Sequence, residues 1–435
     1  MESSNKAAAR SAEEWLALSP EARYSWLRGL EERQSHELFL HLATHEQLGL
    51  LQALPDSERF LWLRLLPPDD LADLLQAAGS SRAALAASLD SATRLQVAAL
   101  LAYKEDLAGG LMSPRFIRVR PEMTADEAIA YVRLQSQAVE TVYYLYVLDE
   151  EQRLLGVLSL RDLFRSPKDR LVREVMRTDV LSVDDQLDQE AVAQMFARSD
   201  LIALPVVDAA ARMKGIITVD DIVDVVNEEA SEDLQKFGGM EALHAPYLEV
   251  GFASMLRKRA GWLAVLFVGE MLTATAMARF QDDITKAVVL TLFIPLIISR
   301  GGNAGSQAST LVIRAMAMGE IGARDWWLVA RREIPIGWMI GVLLAGMGIA
   351  RILLWQAIAG AYGSYAVALA ITVALSLVGV VLWGTVFGAL LPFVLRAARL
   401  DPASASAPFV ATMVDVSGLV IYFSIARLVL AGILL

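Results

Sequence analysis

Asp415 stands about two turns inside an apolar run, "PFVATMVDVSGLVIYF", that opens after Pro402, the small residues Ala403 to Ala407, and Pro408. An ionised carboxylate at membrane depth costs a few kcal/mol, so it is kept either to meet a cation or to pair with a buried base. Arg427 is twelve residues on, about 18 Å along one helix, and is excluded as its partner; Arg314, from another helix, is not. A second stretch, "FIPLIISRGGNAGSQASTLVIRAM", Phe293 to Met316, interrupts an apolar run with polar and small residues. Pro295 removes a backbone donor, Gly301 and Gly302 loosen a helix, and Asn303 and Gln307 offer amides. This pattern predicts a helix broken at mid-depth, facing protein or a water-filled passage. The same residues also admit a packing role, with Gly301 and Gly305 as a small-xxx-small face. A third stretch, "VVNEEASEDLQKF", puts Glu228, Glu229, Glu232 and Asp233 close together on a helix, where like charges repel unless something positive, such as a divalent cation, neutralises them.

These groups must be positioned by two different kinds of chain. The protein has 435 residues, 55% of them hydrophobic and 20% charged, too apolar for an ordinary soluble protein of this length. Up to Met255 there are 25 basic and 42 acidic residues; beyond it there are 14 and 8. An acidic water-soluble part is therefore followed by a slightly basic membrane part. The acidic balance argues against a nucleic-acid partner and suits a cation, although a solvated surface gives the same balance. There are no cysteines, which excludes disulfides and thiolate metal sites. Hydropathy places five spans near 259–279, 285–318, 333–357, 364–395 and 408–434, each long enough for a core of about 30 Å. Arg257, Lys258 and Arg259, then Arg324, Arg331 and Arg332, then Arg396 and Arg399 flank one side of them. By the positive-inside rule the N-terminal part is cytoplasmic and the C-terminus external. The opening residues, "MESSNKAAARSAEEWLALSPEAR", have no apolar segment of a signal peptide, which agrees. Trp262, Trp326, Trp327 and Tyr422 are candidate interface anchors.

From Ala12 to about Tyr103, apolar residues recur at helical spacing, separated by "LSPEAR", "LPDSER" and "LPPDDLADLL", each with Pro ahead of acids as at a helix start. "HLATH" is read as placing His41 and His45 on one helical face, without the third ligand a metal needs. An internal repeat follows: "LYVLDEEQRLLGVLSLRDLF" from Leu145 aligns without gaps on "LPVVDAAARMKGIITVDDIV" from Leu204. Each copy reads strand, tight turn, strand and a helix opened by Ser159 or Thr218, with "TADEAIAYV" or "DQEAVAQMF" as a preceding helix. Over residues 112–226 this resembles a tandem pair of CBS domains, which implies a regulatory module that binds adenine nucleotides or senses ions.

The motifs "IPLIISRGGNAGSQASTLVIRAMAMGEI" and "DPASASAPFVATMVD", taken with the rest of the chain, resemble the MgtE family of bacterial magnesium channels. The resemblance implies a multidomain membrane protein: an all-α N domain (1–110), two α/β CBS domains (111–170 and 171–226), a connecting plug helix and linker (227–256) and an all-α five-helix pore domain (257–435). It implies a homodimer in the lipid bilayer of the inner membrane, with the pore on the two-fold axis between second and fifth helices. The ion site would comprise Asp415, Ala411 and Asn303, and the pore-helix breaks Pro295, Gly301, Gly302, Gln307 and Pro408. Cytoplasmic Mg²⁺ would close the pore through Asp188, Glu190, Asp200, Asp221, Asp224, Glu229, Glu232, Asp233 and Asp401, with Asp69, Asp70 and Asp73 as N-domain candidates. Mg²⁺ is thus expected as both substrate and regulator, and ATP at the CBS domains. Glu270 matches no motif and is read as an outer-pore residue or a hydrogen-bond acceptor. Co²⁺ or Mn²⁺ as the carried ion, and a non-transporting Mg²⁺ sensor, are the alternatives. An intramembrane protease would need a second carboxylate partner that no HExxH or Gly-x-Gly-Asp pattern supplies.

Overall fold

The computed structural model describes residues 18, 20–243, 247–248 and 250–433, so the reading of the N-terminal stretch up to residue 17, and part of the linker at 244–246 and 249, lie outside the described residues. Two compact units divide the chain between Asn227 and Glu228.

The first unit begins with short helices, among them Pro20–Leu27, Glu32–His41, Thr44–Ala53, Asp56–Leu63, Pro68–Ala77 and Ser91–Leu100. Proline sits in the first turn of Pro68–Ala77, where its missing N–H would be unpaired anyway. His41 ends one helix and His45 lies in the next, so the pair does not share a helical face as expected; the intervening "LA" breaks the helix. Two three-stranded sheets follow. In the first, β1 (Ile117–Val119) pairs parallel with β2 (Tyr144–Leu148), which pairs antiparallel with β3 (Leu154–Ser159). In the second, β4 (Val183–Asp184), β5 (Ala203–Val207) and β6 (Met213–Thr218) repeat that order, down to the same register shift after Val147 and Val206. The hairpin turns repeat too: Asp149 Oδ1 accepts from the Glu151 and Arg153 N–H groups, and Asp208 Oδ1 from those of Ala210 and Arg212. Leu71, Leu74, Phe39 and Leu51 of the helices share one core with Val192, Leu204, Val206 and Ile217 of the second repeat.

The second unit begins inside the helix Val219–Phe237 and contains five helices long and apolar enough to cross a membrane. They are the first span Phe252–Arg279, the second within Val288–Ala317, the third within Ala323–Ala359, the fourth within Gly363–Ala397 and the fifth Ala407–Leu430. The second span departs from expectation. A 3₁₀ segment, Val288–Phe293, gives way to an uninterrupted α-helix, Ile294–Ala317, so there is no break at Gly301 and Gly302 or at Gln307. Pro295 and Pro408 occupy the first turns of their helices, where proline starts a helix instead of breaking one. The glycines serve packing. A Cβ on Gly384 would meet the Gly301 carbonyl oxygen at 2.3 Å, and one on Gly388 the Gly305 carbonyl at 2.1 Å. Bare backbone on both helices therefore lets the second and fourth spans touch. Tyr422 is fully buried and donates to the Leu290 carbonyl at 2.8 Å, so it is a core residue and not an interface anchor.

Candidate ion sites and the family they define

In the membrane unit the tight packing of the second span places its Gly302 beside the fifth. A Cβ there would lie 3.3 Å from Ala411 Cα and 3.6 Å from Asp415 Oδ1. Asp415, Gly302 and Ala411 thus come together as expected, but through a missing side chain on an intact helix. Among the described residues Asp415 has no hydrogen bond and no ion pair. The charge that bears on it is another carboxylate, Glu270 of the first span. Arg427, the guanidinium on the same helix, is engaged elsewhere: its Nε donates to Asp283 Oδ2 at 2.6 Å, and it lies over the Phe280 ring. Two carbonyls at the entry to the fifth span are already satisfied, Ala407 by the Ser306 hydroxyl at 3.1 Å and Ala405 by Ser309 at 3.0 Å. They are not the free carbonyls that a broken helix would have offered. Asn303 and Gln307 are exposed, and with Thr310 and Arg314 they form a polar stripe along one face of the second span that its own chain leaves uncovered.

At the start of that unit, the acidic helix carries its own counter-charge. Lys236 bonds Glu232 one turn earlier and Asp401 Oδ2 at 2.6 Å. Burial disfavours the Lys236 ammonium, but these two carboxylates outweigh it and hold its pKa above the ordinary value. Asp233 is pushed up to about 6 by burial and by the charges of Asp401 and Glu229. A lysine thus supplies part of the neutralisation expected from a cation. Asp401 also caps the turn after it, accepting from the Ala403 N–H at 2.8 Å.

The first unit holds a second group of acids. Asp69 is 6% exposed, and its Oδ1 is buried without a hydrogen-bond partner. Burial raises its pKa well above the ordinary carboxylate value, and Glu140, Asp221 and Asp70 add to the effect. Asp70 rises to about 6 for the same reasons, burial first and then Glu140, Asp224 and Asp220. Asp221 reaches about 7 because burial outweighs the hydrogen bonds it accepts from the Thr218 hydroxyl and N–H. Asp73 follows one turn along the Asp69 helix. Glu140, which bonds the Ser113 hydroxyl at 3.2 Å, was not singled out from sequence, and no motif there could have marked it. Asp188 and Asp200 have local duties instead. Asp188 caps the helix Gln189–Ser199 by accepting from the Glu190 N–H, and Asp200 ends it with a left-handed φ of 51°.

Among the described residues no three acidic or imidazole side chains stand close enough to hold a bare metal ion. Their donors are nonetheless all oxygens, with one buried oxygen lacking any partner, which fits a hard cation that keeps most of its water. The sheets also border an open cavity of about 490 Å³ lined by Tyr144, Tyr146, Arg161, Arg165, Arg177 and Pro205. The Tyr146 hydroxyl is buried there without a partner.

A five-span membrane bundle with an isolated carboxylate, preceded by a helical domain and a twin α/β module, defines a membrane ion transporter with an attached regulatory unit. Residues 294–425 match the family described as divalent cation transporter, residues 7–106 the MgtE intracellular N domain, and residues 107–169 and 172–228 the CBS domain. The chain is 38% identical over 423 residues to the magnesium transporter MgtE of Thermus thermophilus, covering 96% of this chain and 92% of that one. It is 32% identical over 385 residues to the magnesium transporter MgtE of Bacillus subtilis, covering 87% and 82%. A crystal structure of the cytosolic domain of the Mg²⁺ channel MgtE in complex with ATP is 43% identical, with a TM-score of 0.47, over 48% of this chain and 87% of that one. The chain belongs to the MgtE family of magnesium transporters. It is a transporter and not an enzyme, with an intracellular N domain and five membrane helices.

Proposed function

We propose that the protein carries Mg²⁺ into the cytoplasm through a pore at the two-fold axis of a homodimer, and that cytoplasmic Mg²⁺ closes it. The observation that carries this reading is Asp415: a carboxylate within a membrane span, beside Gly302, with no base or hydrogen-bond donor among the described residues to neutralise it. Its remaining stabiliser is a cation, and a hydrated Mg²⁺ needs only one or two carboxylates because it keeps its waters. The uncovered stripe of Asn303, Gln307, Thr310 and Arg314 suits a face that meets its twin across an aqueous path. With the N domain inside, five spans leave the C-terminus outside. The five-part division at residues 110, 170, 226 and 256 belongs to the same reading.

Closure follows from charge. Asp69, Asp70, Asp73, Asp221 and Asp224, and separately Glu229, Glu232, Asp233 and Asp401, repel when bare and draw together when Mg²⁺ neutralises them. Asp188, Glu190 and Asp200 belong to this regulatory set in the same reading. The cavity between the sheets suits an adenine nucleotide such as ATP, with Arg161, Arg165 and Arg177 for phosphates and Tyr144 and Tyr146 for the base. The deciding experiment is flux into liposomes containing the purified protein, comparing Mg²⁺ with Ca²⁺, Co²⁺ and Mn²⁺ while internal Mg²⁺ is varied. Selective Mg²⁺ entry that stops at high internal Mg²⁺ is expected; preferred Co²⁺ or Mn²⁺ entry, or flux indifferent to internal Mg²⁺, overturns the selectivity or the gating respectively.

A further inference from the structure

Two arginines of the membrane bundle share one cleft away from Asp415. Arg300 lies six residues into the helix Ile294–Ala317 and Arg351 eight residues before the end of the helix Trp326–Ala359. At about 1.5 Å per residue they sit about 9 and 12 Å from the ends of these two α-helices that lie away from the start of the first span, the second span extending further by the 3₁₀ segment Val288–Phe293. They line a cleft of about 360 Å³ whose other walls are apolar, including Phe293, Leu296, Leu344 and Met347. Among the described residues neither guanidinium has a hydrogen bond or a carboxylate at ion-pair distance. Arg351 only stacks over Trp355, 4.3 Å from the ring centroid. Arg427, with Asp283, shows how this bundle neutralises a base when it has an acid to offer.

Two unmatched positive charges in an otherwise apolar cleft between membrane spans call for an occupant that is both anionic and oily. We propose that the cleft binds an anionic phospholipid, with Arg300 and Arg351 on its headgroup phosphate and one acyl chain along Leu296, Leu344 and Met347. Guanidinium groups match phosphate oxygens in a planar fork. Against two guanidiniums a choline lipid brings no net negative charge, because its own cation cancels its phosphate, whereas phosphatidylglycerol brings one. Charge therefore selects the acidic lipid. Free phosphate would satisfy the arginines but leave the apolar walls bare.

The test uses the full chain purified in mild detergent and native mass spectrometry with equal amounts of phosphatidylglycerol and phosphatidylcholine. The wild type should retain phosphatidylglycerol about tenfold in preference to phosphatidylcholine, and R300Q/R351Q should lose that preference. Equal retention of the two lipids by the wild type overturns the proposal, and that arm does not depend on the variant folding. Phosphatidylglycerol bearing bromine in its acyl chains should quench wild-type tryptophan fluorescence more than that of Trp355→Phe; no difference removes the lipid from this cleft. Inorganic phosphate displacing phosphatidylglycerol would assign the site to the free anion. Loss of dimer in R300Q/R351Q with no lipid held by the wild type would assign it to a second copy of the chain, and either result overturns the lipid.

Discussion

Asp415 owes its isolation to residues that have gone elsewhere. Arg427 is tied to Asp283, and no other base among the described residues reaches the carboxylate, which is why the proposed ion site is placed there. Asp415→Ala is expected to abolish Mg²⁺ uptake by proteoliposomes while membrane insertion, read by detergent extraction and gel filtration, stays intact; undiminished uptake removes Asp415 from the path. A second residue-level expectation concerns pH. Asp70 and Asp221, ordinarily at 3.8, titrate near 6 and 7 in the folded protein because burial and neighbouring acids disfavour their charge. Below about pH 3 both folded and unfolded states are protonated and there is no penalty. As pH rises toward 7 the unfolded chain ionises first, so the metal-free fold loses stability. In EDTA the thermal midpoint should therefore fall between pH 4 and pH 7. Mg²⁺ should raise it at pH 8 and hardly at all at pH 4, and a midpoint flat across this range would count against the buried cluster.

The second and fourth spans show what a glycine does when it faces a backbone. A Cβ on Gly388 would lie 2.1 Å from the Gly305 oxygen, and backbone cannot move aside as a side-chain tip can. Gly388→Ala is expected to destabilise the bundle by about 1–3 kcal/mol, seen as a lower thermal midpoint in detergent. Gly346→Ala, on the third span with nothing within 4 Å, is the contrast. It should leave stability unchanged or raise it by up to about 1 kcal/mol through helix propensity. Equal effects of the two substitutions would show that the close approach does not matter. The expectation of a broken helix failed at this scale, because "GGNAG" signals loosened backbone and close packing alike, and only the neighbouring helix decides between them.

For the whole molecule, the proposed gating makes the acids of the Val219–Phe237 helix the link between internal Mg²⁺ and the pore. Neutralising Glu229, Glu232 and Asp233 together, as Gln, Gln and Asn, should leave a channel that conducts at internal Mg²⁺ concentrations that shut the wild type. Patch recordings that show normal closure would remove this helix from the gate. Lys236 already offsets Glu232 and Asp401, so under the proposed gating Mg²⁺ would have to compete with or add to an internal cation, a feature legible in the i,i+4 spacing to Glu232 but not in the distant Asp401. The two acid groups arise differently: the 228–233 run is contiguous in sequence, whereas Asp69 and Asp221 meet because the helical layer and the second repeat share a core, and Glu140 joins them from the first repeat.

By itself the sequence determined what depends on local pattern. Five apolar runs of spanning length, a gapless internal repeat with matching Asp turns, helix starts marked by Pro and Thr, and the division into an acidic and a slightly basic part all follow from spacing and composition. The tertiary structure decided what depends on partners far along the chain: that Gly301 and Gly305 admit a neighbouring backbone, that Arg427 takes Asp283 and leaves Asp415 alone, that Glu140 joins Asp69, and that Arg300 and Arg351 open on one cleft. The reason is physical. A helix or a turn is set by bonds and side chains within a few residues, whereas a charge or a glycine acquires its role from whatever packing brings within a few ångströms of it.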